Sequence, residues 1–177
     1  MKGSVRICVL LAILLSAGRA AWCADSAFSL GYGFAAWNMG RPAFKVEGDR
    51  QYDFVQATYM YERPFLWKGL NLLVEPFASY VPDPATGTDL GVGLGFKYYP
   101  FGRHEDGFYL MGGTGLAYST IKFEEQGTHL FIIGQGGIGY RFGRFFIENR
   151  FRHFSNGHTA APNWSVNANV ITIGAYF

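Results

Sequence analysis

Large apolar side chains alternate with small or polar ones along much of this chain, and this two-residue period most restricts its fold. Residues 28–35 read FSLGYGFA and residues 89–98 read DLGVGLGFKY, with the bulky residues at every second position. Successive side chains of a β-strand point to opposite faces, so each segment has one large apolar face and one small or polar face. This is the arrangement of a membrane barrel, whose apolar wall meets lipid while its interior stays polar.

Segments of this kind recur along the chain, each about 10–14 residues long, which suits a tilted strand crossing the apolar band of a membrane. They predict eight strands, at 27–38, 51–63, 69–81, 88–99, 107–119, 128–141, 144–156 and 166–177. Short turns alternate with longer connections between them, as in an antiparallel barrel. We therefore expect an all-β fold, an eight-stranded antiparallel transmembrane β-barrel with both termini on the periplasmic side.

The composition agrees with this fold and excludes others. The chain has 24 Gly beside 17 Phe and 11 Tyr, and only 16% of its residues are charged. Glycine costs about 1 kcal/mol relative to alanine at each helical position, so this composition argues against a helical protein. The formal charge of +2 does not point to a nucleic-acid partner. No group of residues has metal-ligand spacing, so we expect neither a metal nor another cofactor.

The first residues are typical of a cleavable secretory signal. Lys2 and Arg6 precede the short apolar run 8–15, and small residues follow, with cleavage expected after residue 20, 21 or 23. A lipoprotein signal at Cys23 is the alternative, but Trp22 fits such a box poorly. We expect residues 1–23 to be the signal peptide, 24–177 the barrel, and no disulfide. An exported chain of this composition is either a periplasmic β-protein or an outer-membrane barrel. The alternation of large apolar with small or polar side chains favours the cell outer membrane.

The seventh predicted strand carries the residues of greatest chemical interest. The charged side chains Glu148, Arg150 and Arg152 share one face, which we expect to be the interior. His153 and Ser155 lie on the other face, among large apolar residues, and are therefore expected on the lipid-facing wall.

Residues two apart on a strand are separated by roughly 7 Å at Cα, within reach of an imidazole and a hydroxyl. A histidine within hydrogen-bond reach makes serine nucleophilic, so His153 and Ser155 are a candidate base and nucleophile. Asn156 and the backbone N–H groups around Gly157 follow directly and are candidate oxyanion donors. The alternative is that this polar pair near a strand end only anchors the barrel at the membrane surface.

The run His153-Phe-Ser155-Asn156-Gly157, followed by Pro162-Asn163 and a last strand ending in Tyr-Phe, resembles the lipid A 3-O-deacylase family. The resemblance implies an eight-stranded outer-membrane barrel that hydrolyses the ester-linked 3-hydroxyacyl chain at position 3 of lipid A. It also implies that His153 is the base, Ser155 the nucleophile and Asn156 an oxyanion donor.

The chain departs from that family pattern at one catalytic position. The family carries a glutamate a few residues after the Pro-Asn pair, and the same distance leads here to Asn167. An amide oxygen can orient an imidazole, as in Cys-His-Asn proteases, but it brings no full negative charge to stabilise the imidazolium. We therefore expect Asn167 to orient His153.

Other features receive simpler interpretations. The GQGGIG run at 134–139 matches a dinucleotide-binding pattern but precedes no helix, so we expect these glycines to allow close approach of strands. His158 is expected to contact headgroups or solvent, and His104 and His129 to lie near the membrane surface. We expect aromatic girdles at Trp37, Tyr59, Tyr61, Trp67, Tyr80, Tyr98 and Tyr99.

The implied partner is lipid A within lipopolysaccharide, met in the outer membrane itself, and the terminal Phe177 is the expected signal to the barrel-assembly machinery. A homodimer is compatible with the sequence. Two rival functions remain: a non-catalytic barrel with a structural or adhesive role, and an acyltransferase barrel. The second would need an apolar pocket inside the barrel, whereas the charged face of the seventh strand predicts a polar interior.

Overall fold

The computed structural model describes residues 25–36, 52–83, 85–101, 106–123 and 126–177. Its strands are β1 (Asp25–Ala35), β2 (Asp53–Pro64), β3 (Leu70–Asp83), β4 (Gly87–Tyr98), β5 (Asp106–Ser119), β6 (Leu130–Phe142), β7 (Phe145–Ser155) and β8 (Val166–Tyr176). Each strand pairs antiparallel with its neighbours in sequence, and β1 pairs with β8 to close the barrel. The predicted fold is confirmed, whereas the predicted signal peptide, Trp37 and His104 lie outside the described residues.

The alternation of side chains between wall and interior follows the sequence pattern. On β4, for example, Leu90, Val92 and Leu94 are exposed on the outer wall, while Gly93 and Lys97 are turned inward and buried. Ile171 and Ile173 on β8 are likewise exposed. Within the described segments, no helix has the length and apolar character needed to span a membrane.

Inward-facing glycines make room for inward-facing aromatic rings. A Cβ at Gly33 would lie 2.1 Å from the ring of Phe54, and one at Gly139 would lie 2.3 Å from the ring of Tyr109. Protein interiors are packed to near crystalline density, so no methyl group could be added at these positions without moving a ring. This packing of aromatic rings against glycines is one reason why a chain with many aromatic residues also contains many glycines.

A buried network of charged groups fills the middle of the interior. Arg150 donates to Glu75 at 2.8 Å and to Glu148 at 2.7 Å, and all three side chains are almost fully buried. Lys97 and Glu62 form a second buried ion pair at 3.3 Å. Buried charges are tolerated only when paired and hydrogen-bonded, so these contacts hold the strands in one arrangement.

Two apolar clusters lie on either side of this network. One contains Phe146 and Tyr176, near the end of the barrel that carries both the start of β1 and the end of β8. The other contains Phe54 and Phe154, near the end that carries the β7–β8 connection. The interior predicted from the charged face of β7 is thus polar in its middle and apolar towards its ends.

Two expectations about individual residues were wrong. Tyr99 is only 1% exposed and packs against Tyr109 inside the barrel, so it belongs to no girdle. Of the run 134–139, Gly137 and Gly139 do lie in close contacts, with a Cβ at Gly137 2.4 Å from Asn149 O. Gly134 and Gly136 instead face outward, and a Cβ at Gly134 would meet no atom within 4 Å. The parity of β6 decides this, because Gln135 between them reaches the interior network and bonds Glu75.

Candidate active site

The outer wall of β7 carries His153 and Ser155 at the end of the barrel opposite the start of β1 and the end of β8. Both side chains are half-buried. Arg152, which precedes them, and Phe154, which lies between them, are buried inside the barrel. The ladder between β7 and β8 ends at the pair Phe154–Val166. Ser155 is therefore the last residue of β7, and the connection that follows it has no strand partner.

Strand register places Asn167 directly across from His153. The Asn167 side-chain oxygen lies 2.8 Å from His153 Nδ1, and the Asn167 residue is 2% exposed. An amide oxygen only accepts, so Nδ1 carries the hydrogen and Nε2 keeps its lone pair. This is the tautomer that a general base requires, and the predicted pairing of these two residues is present in the structure.

The hydroxyl of Ser155 contacts the connection between β7 and β8. It donates to Asn163 Oδ1 at 3.1 Å and accepts from the Gly157 N–H at 3.1 Å. Among the described residues no hydrogen bond joins Ser155 to His153. Catalytic hydrogen bonds are often long or unmade without substrate, and the Ser155 hydroxyl hydrogen would have to turn away from Asn163 to bond His153 Nε2.

Asn156 is buried within the same connection, at 2% exposure. Its Nδ2 donates to the carbonyl oxygens of Gln126, Ala160 and Pro162 at 2.6, 2.9 and 3.0 Å, and its backbone N–H donates to Asn163. The amide hydrogens predicted to hold an oxyanion are thus taken by the backbone. Gly157, with φ of 60°, follows in the left-handed region, and its N–H donates to Ser155 Oγ.

Asn163, the second residue of the Pro-Asn pair, contacts the site although no role was predicted for it. Asn163 Oδ1 accepts from both Ser155 Oγ and Asn156 N, which joins the Ser155 hydroxyl to the connection behind it. Its Nδ2 lies 3.4 Å from His158 Nδ1, so exposed His158 contacts the site from outside. No spacing rule predicts such a contact, because it depends on how the connection folds back.

Beside the site, the outer wall carries almost no side chains. Register places Gly134 across from His153 and Gly136 across from Phe151, with Gly112 next to Gly136 on β5. No atom lies within 3.8 Å of a Cβ built at any of these three glycines. We call Gly112, Gly134 and Gly136 the glycine trough; they are three neighbouring wall positions without a side chain.

In the segments that the structure describes, no three His, Cys, Asp or Glu side chains come close enough to hold a metal ion. The wall around His153 presents a hydroxyl, an oriented imidazole and nearby N–H groups.

Comparison with known proteins identifies the family. A profile of the lipid A 3-O-deacylase (PagL) family matches residues 27–176. The crystal structure of the outer-membrane enzyme PagL is similar, with a TM-score of 0.63 and 16% identity over 86% of this chain and 99% of that one. The neisserial surface protein A (NspA) is similar in fold, with a TM-score of 0.53 and 10% identity over 86% and 95%. No curated protein sequence matches. This chain is an outer-membrane barrel, and it belongs to the lipid A 3-O-deacylase family.

Proposed function

We propose that this chain is an outer-membrane serine esterase that hydrolyses the ester-linked 3-hydroxyacyl chain at position 3 of lipid A. The observation that carries the proposal is the outward-facing pair His153 and Ser155, with the His153 ring held by Asn167 Oδ1 at 2.8 Å. A structural barrel has no need for a buried amide that fixes the tautomer of a wall histidine.

The proposed reaction follows from these positions. Ser155 Oγ attacks the ester carbonyl while His153 Nε2 takes the hydroxyl proton, and Asn167 holds the imidazolium that forms. The Gly157 N–H, 3.1 Å from Ser155 Oγ, donates to the developing oxyanion. Collapse of the intermediate breaks the bond to the sugar oxygen, which His153 protonates. Water, activated by the same imidazole, then releases the 3-hydroxy fatty acid and restores Ser155.

The location of the site suits a substrate that is itself a membrane lipid. Lipid A reaches an outward-facing site by moving laterally in the bilayer, with no need to enter the barrel. The glycine trough beside His153 leaves space for an acyl chain against the wall. The interior, by contrast, is filled by buried side chains such as Arg150, Glu75 and Glu148, which supports hydrolysis at the wall over the acyltransferase alternative.

Mass spectrometry of lipid A from cells that express the protein tests the proposal. Wild type should remove one 3-hydroxyacyl mass, and Ser155→Ala should remove none while folding into the same heat-modifiable barrel. Unchanged lipid A with a correctly folded wild-type barrel would refute the proposal and favour the non-catalytic barrel. Added acyl mass would establish the acyltransferase instead.

A further inference from the structure

Gln126, in the connection between β5 and β6, is the most deeply buried polar residue near the site, with 0% exposure. Its side-chain Nε2 donates to two backbone carbonyl oxygens, one on β7 and one in the connection between β7 and β8. One belongs to Phe154, between His153 and Ser155, at 3.3 Å. The other belongs to Trp164, the residue after Asn163.

The backbone of Gln126 makes two further hydrogen bonds. Its carbonyl oxygen accepts from Asn156 Nδ2 in the β7–β8 connection at 2.6 Å, and its N–H donates to Phe123 O within the β5–β6 connection at 3.1 Å. A Cβ at the adjacent Gly127 would lie 2.4 Å from Ala161 O, so the two connections are in close backbone contact. Gln126 therefore bridges residues before and after the stretch that carries Asn163.

This bridge matters because strand pairing does not hold the connection. The β7–β8 ladder stops at Phe154–Val166, and the stretch 156–165 between them forms no ladder. The contact between Asn163 and Ser155 depends on how far residues 156–165 fold back towards β7. Gln126 joins the two ends of this stretch, since its one amide group donates to the Phe154 carbonyl on β7 and to the Trp164 carbonyl next to Asn163.

We propose that Gln126 is a positioning residue, which holds the 156–165 connection against β7 and so sets the placement of Ser155, Gly157 and Asn163 for ester hydrolysis. The catalytic part of this inference rests on the proposed function. Misplacement of catalytic groups by about 1 Å can lower a rate about 100-fold. We therefore expect loss of the Gln126 amide to lower kcat about 10–100-fold with little change in KM.

The experiment compares Gln126→Met with Asn71→Leu in purified, refolded full-length barrel. Methionine fills the space of glutamine but donates no hydrogen bond. Asn71 is the matched control, since it is a buried amide in the other half of the barrel that donates to Glu62 at 2.6 Å. Two quantities are measured: the amide hydrogen exchange of residues 156–165, and kcat and KM on lipid A in micelles.

We expect Gln126→Met to speed exchange of 156–165 about tenfold, with unchanged exchange in β1–β4, and to lower kcat at constant KM. Asn71→Leu should do neither. Unchanged exchange in 156–165, or faster exchange spread evenly over the whole barrel, would overturn the role of Gln126. A wild-type barrel that leaves lipid A intact would overturn the proposed function instead, and the exchange data would still decide whether Gln126 holds the connection.

Discussion

Replacing Asn167 tests most directly how the wall histidine works. Asn167→Leu keeps the branch at Cγ, with a larger side chain, but removes the oxygen that lies 2.8 Å from His153 Nδ1. In the transition state this hydrogen bond is made to an imidazolium, and hydrogen bonds to charged groups contribute about 1.5–3 kcal/mol. Each 1.36 kcal/mol changes a rate about tenfold, so kcat should fall about 10–150-fold.

Asn167→Asp should change kcat in the opposite direction. It places a full charge where the amide oxygen lies, and at about 4 Å with an effective dielectric constant near 20 this charge is worth about 4 kcal/mol to an imidazolium. His153 is half-buried on the wall, so screening reduces the gain, and we expect kcat to rise about tenfold on the alkaline plateau of the pH–rate profile.

The assay for both variants is single-turnover deacylation of lipid A in mixed micelles, with the barrel fold checked by its heat-modifiable mobility. Wild type and Ser155→Ala give the upper and lower limits of the rate. An Asn167→Leu rate within threefold of wild type would refute the reasoning, because the ring would then not depend on the Asn167 oxygen for its orientation.

Three further predictions concern the wall, the turn and the interior. Gly134→Leu fills the glycine trough next to His153 and should lower kcat/KM on lipid A about 10–100-fold, while kcat/KM on a short soluble ester stays unchanged. Ala78→Leu, which places a leucine on the outer wall of β3, should change neither value. Equal losses in the two variants would exclude the trough as an acyl site. Gly157→Ala and Gly143→Ala each put an alanine at a left-handed position, which should lower the free energy of unfolding by about 1–2 kcal/mol. Only Gly157→Ala should also lower kcat in the same assay, because its methyl group would lie 2.8 Å from Ile132 Cδ1. Arg150→Met leaves Glu75 and Glu148 buried without their cation and should lower the free energy of unfolding in urea by about 3–5 kcal/mol; a loss below 1 kcal/mol would show that the network is not holding the strands together.

The outer wall of β7 shows how far sequence reasoning reached. Parity alone put His153 and Ser155 on the lipid side and Glu148 and Arg150 inside, and the structure agrees. Asn167 was identified from its distance to the Pro-Asn pair in the family pattern, and the register of β7 and β8 places it across from His153. The two-residue period is a local property of the strand backbone, so it can be recognised from a single sequence.

The connection between β7 and β8 shows where that reasoning stopped. Asn156 was expected to hold an oxyanion, yet its amide donates to three carbonyl oxygens within the folded connections. The contact of Asn163 with Ser155 and the bridge made by Gln126 had no counterpart in any spacing rule.

The sequence by itself thus determined the class of fold, the faces of the strands and the candidate pair His153 and Ser155. The tertiary structure alone decided which polar groups meet around them, and that Gly134 faces lipid as open wall. The physical reason is that the alternation of a strand depends only on residues that are close together in the sequence. The path of an unpaired connection depends instead on hydrogen bonds between residues distant in sequence, such as Gln126 and Trp164.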